Sequence, residues 1–157
     1  LRYIFDIDHE SNMVPLEREV GLIKTYVEIE KARFGDRINV EYHIEPELLD
    51  MEIPSFCIQP LVENAIKHGL CKKDAGETVI VSAKKSRGTV TISVSDTGAG
   101  IAAEKLDQLI NGGSANAGVG FSNVSRRIKG WKNAQLDIRS SEGEGTVVAI
   151  TIPESVA

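Results

Sequence analysis

Six consecutive residues, Asp96-Thr97-Gly98-Ala99-Gly100-Ile101, combine a carboxylate with two glycines at alternate positions. Glycine lets backbone approach a ligand closely. A carboxylate beside such a loop suits a ligand that offers an N–H donor. The residues ahead, Thr89 to Ser95, read TVTISVS, the apolar-hydroxyl alternation of a half-buried strand. Ile92 and Val94 share one face, and Asp96 has the same parity, so the strand delivers its carboxylate to the apolar side. A charge placed there is costly unless something pairs with it. The same residues also fit a strand that ends in an Asx turn.

Two further groupings add chemistry. Gly118-Val119-Gly120 lies directly before a predicted helix, where free N–H groups and the helix dipole attract anions. Arg126 and Arg127 follow within two turns. Upstream, Glu63, Asn64, Lys67 and His68 crowd one turn of another helix; Glu63 and Lys67 are four apart, as are Asn64 and His68. A solvated face with one Glu–Lys pair is the plainer account, but Asn is a poor helix former and asks for a reason. Together the three groupings supply an acceptor for a base amino group, a phosphate cradle and a hard oxygen ligand for magnesium. No GxxxxGK[ST] P-loop occurs, and the HRD and DFG elements of protein kinases are missing.

The elements that must position these groups follow from periodicity. Leu1 to Asp8 is a short apolar-polar lead, and His9 to Met13 reads as a loop. Leu16, Val20, Ile23, Val27 and Phe34 recur at helical spacing after Pro15, with Leu22, Tyr26 and Ile29 widening the stripe, so a helix is predicted over 15–33, ended by Gly35. Alternation predicts a strand over 37–44, broken by Pro46. A helix over 55–68 carries Ile58, Val62, Ala65 and Ile66 on its apolar face and closes at Gly69. Residues 70–77 read as a polar loop. Strands at 78–85 and 89–96 flank the hairpin signal Ser86-Arg87-Gly88. A short helix at 102–110, a Gly/Ala/Ser/Asn-rich stretch at 111–120, a helix at 121–130 and strands at 134–140 and 146–152 complete the chain. Five strands and four helices in mixed order predict a two-layer α/β sandwich, a mostly antiparallel sheet with helices on one face.

The chain has 157 residues, enough for one well-buried core, and a formal charge of −5, which argues against non-specific nucleic-acid binding. Cys57 falls in an apolar run and reads as buried packing; Cys71 reads as a loop thiol. Neither has metal-type spacing. No apolar run is long enough to span a membrane. The start Leu1-Arg2-Tyr3, without an initiator Met, reads as part of something longer, with any membrane segment upstream.

The segments LVENAIKHG (61–69), DTGAGI (96–101) and GVGFSNVSRRI (118–128), in that order, resemble the N, G1 and G2 boxes of the GHKL ATPase superfamily. PLEREVGLIKTYVEIEKARFGDRI (15–38) and IPSFCIQPLVENAIKHG (53–69) resemble, more narrowly, the sensor histidine kinases of the LytS type. The resemblance implies the Bergerat (GHKL) fold, with residues 1–14 ending a linker from a dimerisation domain and 15–157 forming the ATP-binding catalytic domain. It implies that Asn64 is the magnesium ligand, that Glu63 orients or polarises the reacting groups, and that Lys67 and His68 lie near the phosphates. Asp96 would accept the adenine amino hydrogen, with Gly98 and Gly100 letting backbone close round the base and Ile101 alongside. Residues 102–117 would be the ATP lid. Gly118 and Gly120 would receive phosphate, with Phe121, Asn123 and Arg127 nearby, and Thr146 would support Asp96 from the adjacent strand.

The implied cofactors are ATP and Mg2+. The implied partners are an upstream phosphoacceptor domain, a response regulator and, in the whole protein, a second copy; the implied location is the cytoplasmic side of an inner-membrane sensor. Two departures stand out. Pro60 occupies the position four before Asn64, where many histidine kinases carry a polar residue, with Gln59 beside it as the substitute. A phosphoacceptor histidine is not apparent: His43 sits in a strand, His68 in the N box and His9-Glu10 in a short loop. The chain is therefore expected to bind ATP but not to autophosphorylate alone. The alternative is a nucleotide-binding interaction module of the same fold without phosphotransfer. A self-contained gyrase-type or mismatch-repair-type ATPase is disfavoured, because those carry a Glu where Pro60 stands.

Overall fold

Period-two alternation runs through five segments, and each becomes a strand of one sheet. The computed structural model describes residues 12–72, 76–111 and 119–154. The expectations for His9-Glu10, for lid residues 112–117 and for Gly118 fall outside the described residues. In chain order the elements are β1 (Met13–Pro15), α1 (Leu16–Phe34), β2 (Ile38–Ile44), β3 (Glu52–Pro54), α2 (Gln59–Lys72), β4 (Glu77–Ser86), β5 (Thr89–Asp96), α3 (Ala103–Asn111), α4 (Val119–Ile128), β6 (Gln135–Ser141) and β7 (Gly145–Pro153). The five-stranded sheet has the order β2-β4-β5-β7-β6. Only β2 and β4 run parallel, so the sheet is mixed and mostly antiparallel. Arg87 and Gly88 turn the β4–β5 hairpin with φ of 51° and 74°, the double positive φ of a tight primed turn.

The helix predicted at 15–33 forms as α1. Pro15 is its extended N-cap rather than its first turn, and the first amides of the helix are satisfied from outside: Leu16 N–H donates to Met51 O at 2.8 Å and Glu17 N–H to Leu49 O at 2.9 Å. Gly35, at φ 62°, ends it and donates to Lys31 O. Leu16, Val20, Ile23 and Val27 are buried as predicted, and Tyr26 packs against the core's edge. Leu22 and Ile29 do not widen the stripe; they are 45% and 59% exposed. Seven residues apart, they share a line on the helix that lies outside its buried arc.

Several elements differ from the sequence reading. Met13–Pro15 pairs antiparallel with Glu52–Pro54 as a small second sheet, an association between segments whose lengths are too short to announce strands. Helix α2 starts at Gln59, not 55, because Phe56 is held at φ 60°, a left-handed conformation that a helix cannot contain. It also runs through Gly69 to Lys72, so Cys71 is helical rather than in a loop. A single glycine costs a helix about 1 kcal/mol against alanine and does not by itself stop one. Helix α4 starts at Val119, which puts Gly120 inside its first turn rather than before it.

The helices lie on one face of the sheet. Ile58, Leu61, Val62, Ala65 and Ile66 of α2 and Val124 and Ile128 of α4 are buried with Val79, Val81 and Ala83 of β4, Val90, Ile92 and Val94 of β5, and Ile150 and Ile152 of β7. The opposite face carries Asn39, Glu41, His43 and the Ser82–Ser93 hydroxyl pair, 2.7 Å apart. This is the two-layer α/β sandwich that the element order predicts. Cys57 is a buried free thiol, as expected. Among the described residues no helix is long and apolar enough to cross a membrane.

Candidate functional site

The chemistry-bearing residues are carried by the end of β5 and the loop after it, by α2 and by α4. Asp96 is the last residue of β5, in line with the buried Val90, Ile92 and Val94 and itself half-buried. Its Oδ1 accepts the Gly98 N–H at 2.8 Å. The Asx turn and the inward carboxylate are therefore one feature: the turn sets the carboxylate's direction. Thr97 locks the next step to β4, its N–H on Thr78 O at 3.1 Å and its hydroxyl accepting Thr78 N–H at 3.0 Å.

The glycine loop interlocks with the β6–β7 hairpin. Gly143 N–H donates to Ala99 O at 2.6 Å. At Gly100, φ 74°, a Cβ would collide with the Ser141 carbonyl oxygen; at Gly145, φ 101°, a Cβ would collide with the Asp96 carbonyl oxygen. The hairpin's backbone by itself excludes a side chain at Gly100, a constraint separate from the ligand approach that the sequence reading gave this residue. Gly98 is buried. Thr146 pairs directly with Asp96 across β5 and β7, and Ser140 with Thr146 across β7 and β6, so the three form a row on one face. Ile101 N–H donates to Ser140 Oγ at 2.7 Å.

On α2, Glu63 and Asn64 are half-buried and Lys67 is exposed. Gln59 Nε2 donates to Glu63 Oε1 at 3.4 Å, and no Glu63–Lys67 ion pair forms among the described residues. The Asn64 amide makes no hydrogen bond among the described residues. The backbone of His68 continues the helix, while its side chain falls outside what is described. On α4, Phe121 is half-buried and Asn123 exposed. Arg127, expected by the phosphates, is directed to the start of α2: its Nη1 donates to Ser55 O at 3.4 Å and its guanidinium lies 5.7 Å from the Phe56 ring centre.

The sequence reading missed Glu19. This α1 carboxylate is 1% exposed and accepts three backbone N–H groups, from Phe56 at 3.0 Å, Ile58 at 3.0 Å and Gln59 at 3.2 Å. It satisfies the amides at the start of α2 that the left-handed Phe56 leaves without carbonyl partners. Burial pushes its pKa above the usual carboxylate range, and the three N–H groups and Arg127 hold it down in part. Burial and the neighbouring Glu19 likewise raise the Cys57 thiol. Tyr26 is pushed up to about 12 by burial, then Glu30 and Glu63. The available signal was a glutamate three after Leu16 and four before Ile23, at the edge of the apolar arc. Ser140 was missed too, although it shares the parity of Leu136 and Ile138.

Comparison with known families sets this geometry in context. The profile of the "Histidine kinase-, DNA gyrase B-, and HSP90-like ATPase" family matches residues 52–156, which span α2, the glycine loop, α4 and both strands of the hairpin. The chain belongs to this ATPase family. A second profile, "Histidine kinase", matches residues 1–38 of the chain. The uncharacterised protein YwpD of Bacillus subtilis is 37% identical over 153 residues, covering 97% of this chain and 54% of that protein. The sensor protein LytS of Staphylococcus saprophyticus is 36% identical over 147 residues, covering 91% of this chain and 25% of that one. The chain therefore spans about half the length of the first relative and a quarter of the second. Among solved structures, the catalytic domain of histidine kinase ThkA superposes with a TM-score of 0.68 at 16% identity, over 90% of this chain and 95% of that one, which is likeness of fold.

Proposed function

We propose that this GHKL domain is the ATP-binding catalytic domain of a two-component sensor histidine kinase. It presents the γ-phosphate of Mg-ATP to a histidine on a dimerisation segment upstream of the chain. The observation that carries the reading is the end of β5: an inward carboxylate, oriented by its own glycine loop and backed by Thr146 on the next strand. A carboxylate so placed accepts from an exocyclic amino group and cannot donate to a keto oxygen. Asp96 holds the base, Ile101 and Phe121 line it, and Gly120 in the first turn of α4, with Gly118 two residues before it in sequence, receives phosphate beside Lys67, His68 and Asn123, while Arg127 braces the start of α2.

Asn64 is the protein's ligand for Mg2+. Its amide has no protein hydrogen bond to give up among the described residues, and these hold no cluster of three or more His, Cys, Asp or Glu side chains that would cage a metal. That donor set suits a cation carried chiefly by phosphate oxygens and water, with one protein oxygen added. Bound magnesium neutralises phosphate charge; Glu63, held by Gln59, orients the reacting groups beside it. Catalysis on this account is positioning and charge neutralisation.

Residues 1–14 end the linker from the dimerisation segment. The whole protein works as a homodimer on the cytoplasmic side of a membrane and passes its phosphoryl group to a response regulator. One experiment tests the reading. The chain, alone and extended by the upstream segment of its own gene product, is incubated with γ-labelled ATP. Label on a histidine of the extended chain alone supports the kinase; nucleotide binding without label in either supports a binding module instead.

A further inference from the structure

Arg127 stands on α4, yet its guanidinium makes its contacts on the segment that starts α2. Nη1 donates to the Ser55 carbonyl at 3.4 Å, and the group lies 5.7 Å from the centre of the Phe56 ring, in reach of a cation–π contact. The side chain is half-buried, so water screens neither contact fully. Its charge also faces the buried Glu19 carboxylate, which accepts the N–H groups of Phe56, Ile58 and Gln59. The left-handed turn at Phe56 is therefore gripped twice: from α1 by a carboxylate on its amides, and from α4 by a guanidinium on its ring and a carbonyl. A bulky residue at φ 60° persists only where its surroundings over-determine it. The two helices joined at this turn carry the groups that the nucleotide reading assigns to phosphate and metal. Gly120 precedes Arg127 on α4 by seven residues, about two turns, and Asn64 follows the start of α2 at Gln59 by five. Val124 and Ile128 bury with Val62 and Ile66, but apolar contact is non-directional. The Arg127 tie has direction and sets where one helix stands against the other.

We propose that Arg127 is a positioning residue: by tying α4 to the Phe56 turn it holds Gly120 and Asn64 at the separation that a magnesium ion, shared between phosphate and the Asn64 amide oxygen, can bridge. The inference rests on the nucleotide reading above and deepens it. Magnesium demands near-ideal octahedral geometry at short distances, so play between the two helices weakens what the metal adds to binding. What ATP binds without the metal is left in place. Arg127 acts through Ser55 and Phe56 and not on the phosphates, which separates it from the role that its place in the sequence suggests.

Two measurements on the 157-residue chain test this. The first needs no ligand: hydrogen exchange at the Phe56, Ile58 and Gln59 amides. Arg127→Met keeps an apolar stem and removes the guanidinium, and exchange at these amides is expected to rise about fivefold. The second is the Kd for ATP in magnesium and in EDTA. In Arg127→Met the gain from magnesium shrinks about fivefold while the Kd in EDTA stays as in wild type. Phe56→Leu keeps the backbone bond to Glu19, loses the ring and has the same effect in the same direction. The double variant loses less than the two single losses combined, because one acts through the other. If Arg127→Met fails to fold, Arg127→Lys reads the same quantities, since an ammonium keeps the charge without the planar face. A Kd in EDTA that rises as much as the Kd in magnesium would make Arg127 a phosphate ligand and overturn the proposal. An unmoved magnesium gain, whatever the exchange shows, would make it a structural brace alone and overturn it too, as would fully additive losses with Phe56→Leu. A wild-type chain that binds no ATP in either buffer overturns the nucleotide reading itself, and the proposal with it.

Discussion

Phe56 N–H donates to Glu19 Oε2 at 3.0 Å, joining α1 to the start of α2 across 37 residues of chain. The bond holds a bulky residue in a left-handed conformation and, with those from Ile58 and Gln59, decides where the helix bearing Glu63 and Asn64 begins. Removing it has a cost that can be anticipated. Glu19→Ala leaves three amides at a buried helix start without an acceptor, each worth about 1 kcal/mol or more. The expected loss is about 3 kcal/mol of unfolding free energy, measured by urea denaturation, and a weaker nucleotide affinity in whatever fraction remains folded.

The same carboxylate makes stability depend on pH in a predictable sense. Its folded pKa lies above its unfolded value, chiefly because burial disfavours the charge. The folded state then binds more protons than the unfolded state between those two values, so stability falls as pH rises through that window. Glu19→Gln does not titrate. The unfolding free energy of wild type relative to Glu19→Gln is therefore expected to be most favourable in acid and to decline as pH rises above the ordinary carboxylate range, measured as paired urea curves across pH.

Gly145 and Gly143 separate strain from collision. Both have positive φ, but only at Gly145 would a Cβ strike backbone, the Asp96 carbonyl oxygen. Gly143→Ala is expected to cost about 1 kcal/mol through φ alone. Gly145→Ala is expected to cost more, about 3 kcal/mol, and to weaken nucleotide binding because the collision displaces Asp96 itself. Thermal melts and nucleotide titrations of the two variants distinguish these outcomes.

Much of this arrangement was legible in the chain. TVTISVS predicted β5 and the face that Asp96 occupies, Ser86-Arg87-Gly88 predicted a hairpin, and Leu16, Val20, Ile23 and Val27 predicted the buried side of α1. Local patterns carry that information because period and turn chemistry act within a few residues. What was not legible depends on distant partners. The start of α2 is set by Glu19 from another helix, and β1 is a strand only because β3 lies beside it. The pairing of Ser140 with Thr146 is fixed by hairpin register. Gly69 looked like a stop, yet nothing after it breaks the helix before Lys72.

Asn64 provides a test of the metal's place. Asn64→Ala removes the one proposed protein oxygen ligand, so ATP affinity in the variant is expected to change little between magnesium-containing and EDTA-containing buffer, whereas wild type gains about tenfold from the metal. An undiminished magnesium response in Asn64→Ala would assign the cation elsewhere.

The central claim is that Asp96 receives the amino edge of a purine. Asp96→Asn is nearly the same size but replaces one acceptor oxygen with a donor. Isothermal calorimetry of ATP with this variant, beside wild type in the same magnesium buffer, is the most direct measurement. The account predicts an affinity lower by about tenfold or more, the loss of a hydrogen bond to a charged group. An Asp96→Asn chain that folds as wild type does and binds ATP with the same Kd would contradict it.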